Sequence, residues 1–164
     1  MKKRYFPLYV DLTDKKVVVI GGGRVAARRV NTLLGFVDKI MVISPELGKN
    51  MEELVFQKCV DGLFWLSDVY QKGYLDDADM VLACTDVKVI NDIVEEDCRR
   101  LEQEQGRRIL FSRCDDKNAC DFLFPSIVVS EDVVVGINSS GESPEKTKET
   151  RERMEEMLGV DSLY

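Results

Sequence analysis

Apolar residues along this chain recur with two different periods, and the alternation between them marks out its elements. Lys16-Val17-Val18-Val19-Ile20 is a short β-branched run stopped by three glycines, which predicts a strand buried on both faces of a parallel sheet. From Arg24 onward Ala26, Val30, Leu33, Leu34 and Val37 fall at helical spacing. Ile40-Met41-Val42-Ile43 predicts a second strand ended by Ser44-Pro45. A helix over about 47–56 and a short strand at Phe64-Trp65-Leu66 follow. Met80-Val81-Leu82-Ala83-Cys84 is the next strand. Ile90, Ile93, Val94, Cys98 and Leu101 form a helical stripe behind it, closed by Gly106, and Ile109-Leu110-Phe111 predicts one more strand.

The rhythm changes after Ser112. Ser126-Ile127-Val128-Val129-Ser130 and Val133-Val134-Val135-Gly136-Ile137, joined by Glu131-Asp132, predict a β-hairpin with an acidic two-residue turn. Ser143-Pro144-Glu145 starts a helix running to about Leu158: a Ser N-cap, proline in the first turn and an acid beside it. There are no repeats, low-complexity tracts or flexible linkers.

Composition narrows the chemistry. A net charge of −7 argues against a nucleic-acid partner, because phosphate contacts need clustered Lys and Arg. The five cysteines (Cys59, Cys84, Cys98, Cys114 and Cys120) are odd in number and contain no CxxC pair, which predicts reduced thiols in a cytoplasm rather than a disulfide framework. With no histidine, a His/Cys zinc site and a Ser-His-Asp triad are excluded, and no resident metal is expected. The start, Met1-Lys2-Lys3-Arg4, is basic but has no apolar run behind it, so no signal peptide is expected. No stretch approaches the roughly 18 apolar residues of a membrane span.

The candidate chemistry centres on Gly21-Gly22-Gly23-Arg24-Val25-Ala26, which fits G-x-G-x-x-A. Gly21 permits the tight turn, and Gly23 lets backbone approach a pyrophosphate. Ala26 lets the helix pack closely on the strand, while the Arg24-Val25-Ala26 end of that helix supplies a favourable dipole. A strand before the loop, a helix after it and a second strand beyond are the context that confirms such a motif. The order β-α-β-α therefore predicts an α/β, Rossmann-type doubly wound parallel sheet, followed by the hairpin and a C-terminal helix. The acid that usually holds the adenosine ribose is replaced by Ser44-Pro45-Glu46, and no Arg stands there for a 2′-phosphate, so NAD is favoured over NADP.

The same residues resemble the precorrin-2 dehydrogenase/sirohydrochlorin ferrochelatase family, the N-terminal part of siroheme synthases. The resemblance rests on Tyr5-Phe6-Pro7-Leu8-Tyr9-Val10-Asp11-Leu12, on Val17 to Gly23, on Ser44-Pro45-Glu46-Leu47 and on Ala83-Cys84-Thr85-Asp86 with Asn91. It continues through Cys120-Asp121-Phe122-Leu123-Phe124-Pro125-Ser126-Ile127 and Gly141-Glu142-Ser143-Pro144, so it spans about residues 5–155. It implies an NAD-binding domain over 1–112, a dimerisation segment over 113–142 and a shortened helical segment over 143–164. It further implies a homodimer that oxidises precorrin-2 to sirohydrochlorin with NAD. Some members also insert ferrous iron, and the sequence leaves that step open.

The resemblance places a catalytic carboxylate at Asp115, where a positioned base could accept the proton that accompanies hydride loss. Asp115 and Asp116 also read as ordinary turn residues. Cofactor contacts are expected from Gly21, Gly23, Arg24, Val25, Ala26, Ser44, Pro45, Thr85, Asp86 and Asn91, the last three of which could equally cap the helix after them. Ser139, Ser140, Ser143 and Lys146 are candidates for the substrate carboxylates, although capping alone accounts for Ser143.

Three departures from the family stand out. Ser112-Arg113-Cys114 replaces an Asn followed by two small apolar residues, and Ser140-Gly141 replaces Gly-Gly. The last helix is charged nearly all round, with Lys148 to Glu152 and Arg151 to Glu155 at the spacing of surface pairs. A non-catalytic NAD- or tetrapyrrole-binding regulatory subunit, and another NAD-dependent oxidoreductase on the same fold, therefore stay open.

Overall fold

The computed structural model describes residues 5–58, 60–131 and 133–162. Cys59, Asp132 and the basic start Met1–Arg4 lie outside the described residues. The chain divides into two compact units, 11–122 and 123–164 together with 1–10.

The first unit is a five-stranded parallel sheet in the order β3-β2-β1-β4-β5, made of β1 (Lys16–Ile20), β2 (Lys39–Ile43), β3 (Leu63–Leu66), β4 (Met80–Ala83) and β5 (Leu110–Arg113). Val17, Val18 and Val19 of the central strand are fully buried, which is why that strand reads as an unbroken apolar run. The edge strand β3 alternates half-buried and exposed residues instead. Val18, Ile20, Val81, Ala83 and Phe111 share a core with Val94, Cys98 and Leu101 of helix α3 (Lys88–Gln105). Alternation along the strands turns Val17, Val19, Val42 and Leu82 to the other face, where Ala26, Val30 and Leu33 of α1 (Arg24–Leu33) are buried. Gly106 closes α3 in the left-handed conformation, as its position predicts.

Three boundaries differ from the sequence expectation. The helix expected over 47–56 begins at Lys49 as α2 (Lys49–Glu52) and continues as a π-helical turn over Glu53–Gln57. It starts late because Gly48 donates its N–H to the Gly22 carbonyl at 2.9 Å, which holds the preceding residues out of the helix. The last strand runs on to Arg113 although a cation ends it, because three carboxylates surround that cation. The sheet unit also extends to Phe122 rather than stopping near Ser112. Asp121 donates its N–H to the Phe111 carbonyl (2.8 Å) and accepts the Phe111 N–H on its side chain (2.9 Å), while Arg99 holds the same carboxylate at 2.9 Å.

The second unit contains the hairpin β6 (Ser126–Ser130) and β7 (Val133–Ile137), in antiparallel register with Ser130 opposite Val133. Helix α4 (Pro144–Leu158) packs on it. Ser143 caps α4 by accepting the Lys146 N–H at 3.3 Å. Lys148–Glu152 is an exposed pair as expected, whereas Arg151–Glu155 is buried and Arg151 also donates to Ser162 at 2.7 Å. The chain turns into α4 through Ser140, which adopts φ +59°.

A left-handed backbone costs a residue with a Cβ about 1–2 kcal/mol, part of which glycine returns through its freer unfolded chain. Ser140→Gly is therefore expected to stabilise the fold by about 0.5–1 kcal/mol, read as an increase in the urea midpoint with an unchanged slope.

Candidate functional site

In open α/β sheets ligands collect at the carboxyl ends of strands where the strand order reverses, here between β1 and β4. The turn after β1 sits in that crevice. Gly21 has φ +110°, and a Cβ placed on it would lie 2.7 Å from the Cys84 carbonyl oxygen and 3.1 Å from the Thr85 nitrogen. Only glycine permits this approach. Gly22 is pinned on the other side, since a Cβ there would lie 2.7 Å from the Glu46 carbonyl oxygen.

Gly23 behaves differently. Its φ is −78°, and a Cβ there would meet nothing within 4 Å, so the space beside it is open. It precedes α1, which carries no side-chain cap and no acid in its first turn. Gly23, Arg24 and Val25 are exposed while Ala26 is fully buried against the sheet. An uncapped helix end with clear space for a backbone approach fits the pyrophosphate of a dinucleotide.

The residues after β2 serve the scaffold. Ser44 is buried and donates its hydroxyl to the Glu46 carbonyl at 2.6 Å, while its own carbonyl accepts the Trp65 Nε1–H at 2.9 Å. Pro45 is exposed and accepts from the Ser67 hydroxyl at 3.1 Å. After β4, Asn91 is fully buried and clasps Thr85. Its Oδ1 accepts the Thr85 N–H at 3.2 Å and lies 2.8 Å from the Thr85 hydroxyl, and its Nδ2 donates to the Thr85 carbonyl at 3.0 Å. Asp86 stands exposed beyond this clasp.

Asp115 follows β5 and is tied to Arg113 at both oxygens, by Nε to Oδ1 and by Nη2 to Oδ2, each at 2.8 Å. The Arg113 side chain is only 3% exposed and also meets Glu95 and Asp92 at 2.8 Å. Hydrogen bonds from Arg113 first, and a further one from Asn91, hold the Asp115 carboxyl down at about 2, against a smaller opposing effect of burial. Both Asp115 oxygens are therefore engaged by Arg113, which keeps this carboxylate an anion at the end of β5.

The serines of the second unit form a network of their own. Ser143 donates its N–H to the Ser139 hydroxyl at 3.0 Å, and Thr147 donates to that oxygen at 2.9 Å. The Ser140 N–H goes to Asn138 Oδ1 at 2.6 Å, and Lys146 is exposed. Arg113 was legible only as a departure from the family pattern, and its burial among Asp92, Glu95 and Asp115 needed the packing of α3 beside β5. Arg29, which approaches Cys84 Sγ at 3.5 Å, carried no sequence signal beyond its place on the polar side of α1.

Comparison with known proteins gives a family model described as "Putative NAD(P)-binding", which matches residues 8–126. The siroheme synthase of Sodalis glossinidius (strain morsitans) is 35% identical over 94% of this chain and 31% of its own length. Siroheme synthase 1 of Serratia proteamaculans (strain 568) is 34% identical over 94% of this chain and 30% of its own. The chain thus spans about a third of the length of these curated relatives. Among solved structures, SirC, a precorrin-2 dehydrogenase, shares the fold with a TM-score of 0.71 at 19% identity, over 93% of this chain and 71% of that one.

The two glycines are expected to separate fold from ligand. Gly21→Ala should cost about 2 kcal/mol or more in denaturant unfolding, through its forced backbone and the clash with Cys84. Gly23→Ala should stay within about 0.5 kcal/mol of the parent yet weaken NAD about tenfold in a titration. Asp115 is depressed in the folded state, so its contribution is present above the ordinary value of 3.8 and disappears as pH falls to about 2. Over that interval the parent should lose about 1–2 kcal/mol more stability than Asp115→Asn, measured by urea unfolding at a series of pH values.

Proposed function

The chain belongs to the NAD(P)-binding family, and from that premise we propose that it is an NAD-dependent dehydrogenase oxidising precorrin-2 to sirohydrochlorin in siroheme synthesis. The observation that carries this reading is the open approach at Gly23 before the uncapped α1. It occurs in a chain similar over nearly all its length to part of the siroheme synthases.

In this reading the N–H groups of Arg24, Val25 and Ala26 hold the pyrophosphate, with the exposed Arg24 side chain adding positive charge. Ser44 and Pro45 wall the adenosine side, and the exposed Glu46 beside them disfavours a 2′-phosphate, which supports NAD over NADP. The Asn91 clasp fixes Thr85 and Asp86 along the other half of the cofactor. NAD, when bound, supplies the acceptor for the hydride leaving the reduced macrocycle. Asp115, held as an anion by Arg113, orients the substrate through its pyrrole N–H donors, and the protons released with the hydride pass to solvent. Within the second unit, Lys146 is the exposed cation available to a carboxylate, and the Ser139, Ser140 and Ser143 turn sets its place at the start of α4.

The active form is a homodimer built on the hairpin unit. Phe6, Leu8 and Val133 are 86%, 76% and 53% exposed there, and the hairpin has unpaired edges. Exposed apolar surface of this kind calls for a partner. A cytoplasmic setting accords with the free thiols Cys84, Cys98, Cys114 and Cys120. No helix among the described residues is long and apolar enough to cross a membrane.

Two observations favour a second reading, a dinucleotide- or tetrapyrrole-binding regulatory subunit without turnover. Arg113 occupies both oxygens of Asp115, and Arg151 is committed to Glu155 instead of being available to a polyacid.

Anaerobic incubation of precorrin-2 with NAD separates the two. Sirohydrochlorin formation followed by absorbance is expected from the parent, with Asp115→Ala slowed at least about tenfold and NAD affinity unchanged. No turnover from folded, NAD-binding parent protein would replace the enzyme by the binding subunit.

A further inference from the structure

Two cysteines meet at the carboxyl ends of neighbouring strands. β4 and β5 pair in parallel with Ala83 opposite Arg113, and the Cys114 N–H continues that ladder to the Ala83 carbonyl at 3.0 Å. The next pair in register is therefore Cys84 with Cys114. Adjacent strands lie about 4.8 Å apart, inside the Cα separation of about 4.4–6.8 Å that a disulfide spans. Registered neighbours point to the same face, so the two sulfurs are directed together, close enough for each thiol to shift the titration of the other. Cys114 is exposed and Cys84 is buried beneath it.

We propose that Cys84 and Cys114 form a reversible disulfide, with Cys114 the entry point for a low-molecular-weight disulfide oxidant and Cys84 the resolving thiol. The proposal goes beyond the dehydrogenase reading and does not depend on it.

The surroundings divide the roles between the two sulfurs. Arg29 lies 3.5 Å from Cys84 Sγ and is the nearby cation, Asp115 is the nearby acid, and Cys114 Sγ also lies 3.6 Å from the Thr85 carbonyl. The hydrogen bond from Cys84 lowers the Cys114 thiol to about 7, with the Arg29 charge assisting and burial and Asp115 opposing. The Cys84 thiol is raised, first by its bond to Cys114 and then by burial. Cys114 is thus the thiolate that meets oxidant, and capping its sulfur removes the largest influence holding the proton on Cys84.

In the first step the Cys114 thiolate attacks one sulfur of the oxidant R–S–S–R. That S–S bond breaks, and one R–S⁻ leaves with the electron pair. Cys84 then gives up its proton to solvent and attacks Cys114 Sγ, expelling the second R–S⁻. Two thiols have lost two electrons and two protons, and one oxidant disulfide has become two R–SH. The product joins the ends of β4 and β5 beneath the turn at Gly21, whose backbone rests on the Cys84 carbonyl.

The test uses the folded full chain with oxidised glutathione, followed by alkylation of free thiols and tryptic mapping without reductant. A cross-link between peptides 73–88 and 114–117 is expected, reversed by dithiothreitol. Cys84→Ser should instead accumulate a glutathione adduct on Cys114 that does not resolve. Cys120, whose Sγ lies 3.2 Å from the Arg113 nitrogen, is the competing partner. A Cys114–Cys120 cross-link, or alkylation of Cys84 and Cys114 at the rate seen in untreated protein, would overturn the proposal. Circular dichroism of each variant distinguishes loss of the cross-link from loss of the fold.

Discussion

Because Gly21 has no side chain, the turn leaving the central strand can lie directly on the carbonyl of Cys84. The approach leaves no room for a Cβ, and the φ of +110° that produces it is one that residues with a Cβ rarely adopt. The rest of the crevice follows from this contact. It brings the loops after β1 and β4 to the point where the sheet reverses its order, and it starts α1 at that point. Gly22, closed in by the loop after β2, holds the turn from the other side, so that only Gly23 and the mouth of the helix stay open. One small residue, placed where three loops converge, separates a packed turn from a binding surface.

A second constraint is electrostatic. Arg113 ends β5 with its side chain almost wholly out of water, an arrangement that is tolerable only with opposite charge close by. Asp115, Asp92 and Glu95 supply it from the following loop and from α3. The cost falls on Asp115, which loses basicity in serving as a counter-ion. Arg151 and Glu155 repeat the pattern on α4 within the second unit, where spacing suited to a surface pair becomes a buried one. In both places a cation is engaged by carboxylates of the protein itself.

The thiol pair belongs to the same strand ends. Its register is a by-product of how β4 and β5 align, and its chemistry is shaped by neighbours drawn from α1 and from the loop after β5. A dinucleotide loop, an anchored carboxylate and a pair of sulfurs therefore occupy neighbouring strand termini of one sheet.

The elements themselves were written in short-range patterns. Unbroken β-branched runs give buried parallel strands, the stripe from Ile90 to Leu101 gives α3, and Ser143-Pro144 starts α4. Local periodicity and backbone stereochemistry act over a few residues, so a sequence can carry them unaided, as it carried the spacing of Gly21, Gly23 and Ala26. Partnership across distance could not be read in this way. That Gly21 is held against Cys84, that Asn91 closes on Thr85, that Arg113 neutralises Asp115 and that Cys84 faces Cys114 depend on strand register and on which helix covers which face. Those relations join residues 2 to 63 positions apart, and even the nearest of them, Arg113 with Asp115, is set among the α3 carboxylates that only the packed sheet brings to Arg113.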